Sequence, residues 1–433
     1  MSQRNVLKGL QIQRAISYRD PDALFALVGA DGSGKNAYMP IGQSLLSHHM
    51  LLLGSPGAGK TNLLFHLLAG IRTNLTSEDV MVVFDPTGEY HRAFFQEGDI
   101  VFADDARAGD ADSTNHWNLF AELCTEDRLV EDASMLCRLL FEGQLRSAAD
   151  PFYVMAARDL MMALIVYLSR NGGAELQNNL ALRELIDDFD MESMRQILDQ
   201  ETELRALSMY LQKPDSPKTI AIAAALQSAA RELLQGRFRH EGTLGMRPLI
   251  RERGGKVVFV CYDAARSESL RPLYGALVDL CLQEVLSRTE AVGSVYLFMD
   301  GADVLPHLPH LEDAMLLGRS KGFKMILSST GVSQMERRYG SEGGRSLLSA
   351  FGTTFTFLLR DRQSRNFVKS LYGRHRVVQT YNSSVQVRGT VEQVMDQYII
   401  EDEDITALQP GECIVSPLHY PPFWFRAKVY EVG

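Results

Sequence analysis

Eight consecutive residues, Gly54-Ser55-Pro56-Gly57-Ala58-Gly59-Lys60-Thr61, set a lysine and a hydroxyl directly after a glycine-rich run. Glycines let backbone amides close around a phosphate. The lysine ammonium reaches the terminal phosphates of a triphosphate, and the threonine hydroxyl can ligate magnesium. The flanks give the pattern its weight. Met50-Leu51-Leu52-Leu53 before it reads as a buried strand, and Asn62-Leu63-Leu64-Phe65-His66-Leu67-Leu68-Ala69 after it has helical apolar spacing. A strand, a glycine turn and a helix N-terminus together make an anion site. A chance lysine on a structural turn would not need all three. A nucleoside triphosphate with magnesium is therefore expected on Gly54, Ser55, Pro56, Gly57, Ala58, Gly59, Lys60 and Thr61, with Asn62 next in line.

Such a loop needs a second strand whose terminal acid orders the magnesium and whose next residue, often glutamate, polarises water. Three strand-like runs end in aspartate: Asp85, Asp263 and Asp300. Asp300, after Val295-Tyr296-Leu297-Phe298-Met299, has the most complete apolar run and a late place in the chain, so it is the expected magnesium-side acid, on a strand adjoining that of the loop. Gly301 follows it. Glycine has no base to offer, which leaves Asp303, Asp85 and Glu89 as candidates, with Glu89 in Asp85-Pro86-Thr87-Gly88-Glu89-Tyr90 foremost. The plainer role for Glu89 is a carboxylate at a helix N-terminus. Arg319, in Gly318-Arg319-Ser320-Lys321-Gly322, falls between a helix and the next strand, where an arginine can reach a neighbouring subunit's phosphates. Its plainer role is a cation at a helix C-terminus.

A near-repeat tests the argument. Gly29-Ala30-Asp31-Gly32-Ser33-Gly34-Lys35-Asn36 has similar spacing, but Ala37-Tyr38-Met39-Pro40-Ile41-Gly42 cannot begin a helix. It reads instead as two short strands joined by a turn.

The elements that hold these residues are legible in outline. Residues 1–48 form an N-terminal β-hairpin cap. Residues 49–120 alternate strand and helix, with strands at Val80 to Phe84 and Ile100 to Phe102, which implies a parallel sheet. Residues 121–240 are nearly all helical in pattern, through Val154 to Tyr167, Ala181 to Phe189, Met191 to Leu198 and Ala221 to Leu234, and read as an inserted all-helical domain. Residues 241–433 return to strands at Val257 to Tyr262, Ser294 to Met299, Met325 to Leu327 and Phe355 to Leu358. Short strands follow at Glu412 to Val415 and Ala427 to Tyr430.

Composition sets the limits. A chain of 433 residues with 45% hydrophobic content can bury a large core. Its longest apolar stretches, such as Leu160 to Leu168, fall short of the roughly 18 residues that suggest a membrane span. Met1-Ser2-Gln3-Arg4-Asn5 does not begin a signal peptide. Five scattered cysteines without paired spacing argue for a reducing compartment and against zinc. The net charge of −10 argues against a surface that coats nucleic acid everywhere, but leaves room for a local basic channel. Basic residues gather at Arg247 to Lys256, Arg319 to Lys324 and Arg360 to Arg376, and acidic ones at Glu97 to Asp112, Glu184 to Glu203 and Glu401 to Asp404. Each run taken alone reads first as a solvated face.

Taken in order, these stretches resemble the coupling-protein ATPases of conjugative type IV secretion systems, of TraD/TraG type, within the HerA–FtsK group of hexameric motors. The resemblance covers most of the chain. It rests on the phosphate loop, Asp85 to Tyr90, Asp104-Asp105-Ala106-Arg107 with Trp117-Asn118, Asp150-Pro151-Phe152-Tyr153 through Tyr167-Leu168, and the block from Asp300 through Leu305-Pro306, Gly318 to Gly322 and Ser333-Gln334 to Tyr339-Gly340. It implies an α/β fold: a RecA-like nucleotide domain with a predominantly parallel sheet and an inserted all-helical domain. It implies ATP and magnesium between neighbours in a ring of six, DNA or DNA–protein cargo, and a cytoplasmic chain that meets secretion-system or membrane-anchored partners. Lys60 and Thr61 would hold phosphate and magnesium, Asp300 would be the second-strand aspartate, and Arg319 the intersubunit arginine. Four departures stand out, the first being Thr87 in place of the lysine of the family's Asp-Pro-Lys-Gly-Glu stretch. Gly301 replaces the family's glutamate, Thr330 replaces its strand-end glutamine, and no N-terminal transmembrane helix is seen. Two readings stay open: an active DNA-translocating ATPase, or a nucleotide-binding scaffold that hydrolyses slowly or not at all. A small-molecule kinase is disfavoured, because no lid-like arginine cluster is apparent.

Overall fold

The structure is a computed structural model; it describes residues 4–110, 113–124, 126–211, 213–265, 268–382 and 390–431. Met1-Ser2-Gln3 and Asp112 lie outside the described residues. The strands in chain order are β1 (Arg4–Lys8), β2 (Ala23–Asp31), β3 (Asn36–Gly42), β4 (Met50–Leu53), β5 (Val80–Asp85), β6 (Ile100–Phe102), β7 (Lys256–Cys261), β8 (Val295–Asp300), β9 (Phe323–Ser329), β10 (Thr353–Thr356), β11 (Arg374–Asn382), β12 (Thr390–Tyr398), β13 (Glu412–Ser416) and β14 (Phe423–Ala427).

Two compact units divide the chain: Met1–Thr76 with Tyr296–Asp303 and Met315–Gly433, and Ser77–Val295 with Val304–Ala314. In the first unit the strand order is β3-β2-β14-β13-β10-β4-β9-β8, with a separate sheet β1-β11-β12. Its centre is parallel, β4 pairing with both β10 and β9. All four residues of β4 and all seven of β9 are buried, as a strand covered on both faces requires. Outward from β10 the pairings turn antiparallel, so this sheet is mixed. The near-repeat at residues 29–36 is the β2–β3 hairpin turn, held by Asp31 Oδ1 accepting from the backbone N–H groups of Ser33 (2.8 Å) and Lys35 (3.1 Å). The last strand begins earlier than the expected Ala427 to Tyr430, because Phe423 and Phe425 are the alternating buried residues after Pro421-Pro422.

The second unit contains the parallel strands β5-β7-β6 and most of the helices. Its long helices are Leu129–Ser147, Pro151–Asn171, Pro217–Leu233 and Arg271–Ser287. Two of them start earlier than their apolar periodicity, where Asp150 and Ser216 cap the first turn and proline occupies its first position. Pro151–Asn171 is long and apolar enough to cross a membrane by length and composition. Half of its most apolar window is buried, and it packs against Leu129–Ser147 and Pro217–Leu233.

A buried polar knot closes this unit. Glu122 accepts from the Trp117 indole (2.7 Å) and from the backbone N–H groups of Met246 (2.6 Å) and Arg247 (3.0 Å). The Arg247 guanidinium pairs with Asp132 at 3.2 Å and bonds Gln283 at 2.9 Å. Burial pushes the Glu122 carboxyl up, and these donors oppose the shift.

Candidate functional site

The expected strand–turn–helix is present. β4 ends at Leu53, and the helix Lys60–Thr73 starts directly after Gly59 and buries Leu63, Leu64, Leu67, Leu68 and Ile71 along one side. Gly57 (φ +75°) and Gly59 (φ +104°) are left-handed, and a side chain on Gly57 would meet no atom within 4 Å. The cradle is open on that side. Lys60, only 8% exposed, folds back onto the carbonyls of Gly54 (2.6 Å) and Ser55 (3.2 Å), the acceptors with which a bound phosphate would compete. Burial lowers its pKa, while the carboxylates of Asp300 and then Asp303 pull the other way.

Asp300 ends β8, and its Oδ2 lies 3.5 Å from the Thr61 hydroxyl. A hydroxyl and a carboxylate facing each other at that spacing suit magnesium, which takes one or two protein oxygens and fills its shell with water and phosphate. One expectation needs correction: β8 does not adjoin β4, because β9 runs between them. Asp300 still reaches Thr61: it ends β8 in the same unit, and Thr61 follows the phosphate loop off the end of β4.

Gly301 has φ +68°, so the backbone reverses after Asp300 into the Ala302–Val304 turn. Arg338 donates to the Asp303 carbonyl at 2.7 Å. Off the end of β9, Thr330 stands where the resemblance expects glutamine. Four residues later the Oε1 of Gln334 is buried without a hydrogen-bond partner among the described residues.

Arg319 is exposed, in the turn Gly318–Lys321 just before β9. β9 runs parallel to β4, with Leu53 opposite Ser329. Arg319 and the phosphate loop therefore lie off opposite ends of this pair of strands. Glu89 belongs to the second unit, exposed at the first position of the helix Glu89–Phe94. Asp85 is fully buried and accepts from the N–H groups of Thr87, Gly88 and His91, which fits a structural role in that turn. Asp263 accepts from Ala265 N–H in a loop.

Sequence reasoning missed how the C-terminal segment holds the loop. Gly411 N–H donates to Ala58 O at 2.9 Å, and a Cβ on Gly59 would come within 2.8 Å of the Gly411 backbone. The Asn62 amide donates to Lys428 O and accepts from Tyr430 N–H, so this side chain is committed to the C-terminal segment. The Pro410-Gly411 turn was the available signal. The basic runs are partly used internally as well. Arg247 and Lys324 are buried, and Arg365 and Lys369 pair with Asp402. Arg360, Arg362 and Arg374 remain exposed.

Comparison with known proteins bears on the fold and the family. No curated protein sequence matches the chain. Among solved structures, the unbound bacterial conjugative coupling protein TrwBdeltaN70 superimposes with a TM-score of 0.76 at 18% identity, over 99% of this chain and 95% of that one. Plasmid coupling protein TrwB in complex with ADP and Mg2+ gives 0.73 at 18% identity, over 100% and 96%. VirB4 of Thermoanaerobacter pseudethanolicus gives 0.56 at 14% identity, over 96% and 98%. At these identities the likeness establishes the fold alone, a P-loop NTPase fold with a large mixed sheet and helices. The family model described as the type IV secretion-system coupling protein DNA-binding domain matches residues 23–416, nearly the whole chain, and the chain belongs to that family.

Proposed function

We propose that this chain is an ATP-binding motor subunit of a type IV secretion or conjugation system, coupling ATP turnover to the transfer of DNA or nucleoprotein. The observation that carries it is the joint placement of Lys60, Thr61 and Asp300 around an open glycine cradle. The loop amides and Lys60 bind the phosphates. Thr61 and Asp300 would hold magnesium, which when bound offsets phosphate charge. The TrwB complex with ADP and Mg2+ supports this assignment by its fold.

The subunits form a ring, in our reading of six, with each Arg319 serving the neighbour's site. Leu316 and Leu317, 72% and 57% exposed beside it, are apolar surface that such a contact would cover. We read residues 121–240 as the inserted helical domain between 49–120 and 241–433, with 1–48 as a cap. The chain works in the cytoplasm, held at the inner membrane by partner proteins, and the family's description supports DNA as cargo. Gly301 and Thr330 favour a second reading, a scaffold that binds ATP without turning it over.

Steady-state ATP turnover with and without DNA, beside Lys60→Ala, separates the two. DNA-stimulated turnover lost in the variant supports the motor; binding without turnover above the variant supports the scaffold.

A further inference from the structure

The family's glutamate is missing at Gly301, and a hydrolysing site still needs a group to receive the proton of the attacking water. Among the described residues of the unit that holds the phosphate loop, one carboxylate meets the requirements. Asp303 follows the Gly301 reversal in the short turn Ala302–Val304. Its backbone is fixed by the Arg338 bond to its carbonyl and by buried Ala302 and Leu305 on either side. Its carboxylate makes no hydrogen bond or ion pair with a described residue and is partly open to solvent. It follows Asp300 by three residues, and the Asp300 carboxylate faces the Thr61 hydroxyl at 3.5 Å, so the turn that carries Asp303 lies at the phosphate end of the site. The alternatives have structural roles of their own. Asp85 is saturated by backbone donors, and Glu89 begins a helix of the other unit, where a carboxylate is favourable for electrostatic reasons alone.

We propose that Asp303 is the catalytic residue that accepts the proton of the attacking water, in place of the glutamate absent at position 301. The inference rests on the ATP reading above. The water oxygen bonds to the γ-phosphorus, and the bond from that phosphorus to the β,γ-bridging oxygen breaks. ADP leaves with the electron pair, and the water proton passes to the Asp303 carboxylate and on to the phosphate product. An aspartate two residues later replaces the reach of the glutamate side chain with the backbone turn that Gly301 allows.

The test uses the full chain with Asp303→Asn and Glu89→Gln, following ATP affinity by calorimetry, turnover, and retention of ADP–tetrafluoroaluminate, which requires an oriented in-line water. Asp303→Asn is expected to keep ATP affinity within about threefold, lose about 10²- to 10⁴-fold in turnover and fail to retain the analogue, with Glu89→Gln near wild type. Wild-type turnover in Asp303→Asn, or the loss appearing in Glu89→Gln instead, overturns the proposal. So does a wild type that binds ATP but turns it over no faster than Lys60→Ala. A wild type that binds no ATP removes the nucleotide reading itself, and the proposal with it.

Discussion

The position of Arg319 yields a test of whether it acts between subunits. The turn that carries it precedes β9, and the phosphate loop follows the far end of β4, which runs parallel beside β9. The seven residues of β9 separate the two ends, roughly 20 Å at about 3.3 Å per residue. No arginine side chain spans that distance, so Arg319 has no role at its own chain's γ-phosphate. If it stabilises transition-state charge, it does so on the next subunit. Lys60→Ala removes phosphate binding in its own chain, and Arg319→Ala removes the arginine from a neighbour's site. Each variant alone is expected to lose about 10³-fold or more in turnover. In an equimolar mixture of exchanged subunits, a site formed by an Arg319→Ala chain facing a Lys60→Ala chain has both groups intact. Random head-to-tail assembly makes about a quarter of interfaces of this kind. Turnover of the mixture should therefore recover to about a quarter of wild type, with native mass spectrometry confirming mixed assemblies. Mixed assemblies no more active than the separate variants would refute the reasoning.

Two further substitutions follow from local geometry. Gly59→Ala forces a side chain into left-handed backbone and against the Gly411 backbone at 2.8 Å, so it should cost about 1 to 3 kcal/mol in chemical denaturation and weaken ATP binding; unchanged stability and affinity would contradict the contact. His49 accepts from Met325 N–H at 3.0 Å and is held neutral, its pKa pushed down to about 4 by burial, with His48 and Arg319 adding to the effect. The unfolded chain takes up this proton below about pH 6.5 and the folded one does not until about pH 4, so stability should fall by up to ~3 kcal/mol as pH drops through that window. His49→Asn, which tolerates the φ of +60°, should flatten that part of the pH dependence in paired denaturation curves, and parallel curves for both chains would count against it.

What could be read from the sequence was whatever local order dictates. Met50 to Leu53, the glycines and the helical spacing after Asn62 specify their own geometry within about twenty residues, and the structure reproduces it. Asp85 and Asp300 were both legible as strand ends, but the order of the strands was not. Nothing local tells that β9 inserts between β4 and β8, since pairing depends on segments far apart in the chain. The antiparallel half of the sheet was hidden for the same reason: β13 and β14 are short and carry no turn signal that names β10 or β2 as partners. Asn62 shows the limit most clearly. Its place after Thr61 suggests a ligand, yet its amide is held by residues 428 and 430, more than three hundred positions away. Arg247 and Lys324, counted among basic runs, are likewise taken by buried partners that no linear pattern identifies.

Isothermal titration of the full chain with ATP and magnesium, beside Lys60→Ala, tests the central claim most directly. The account predicts saturable uptake of a single ATP per chain, lost in the variant. Absence of heat from ATP at millimolar concentrations, or equal uptake by a folded Lys60→Ala chain, would contradict it.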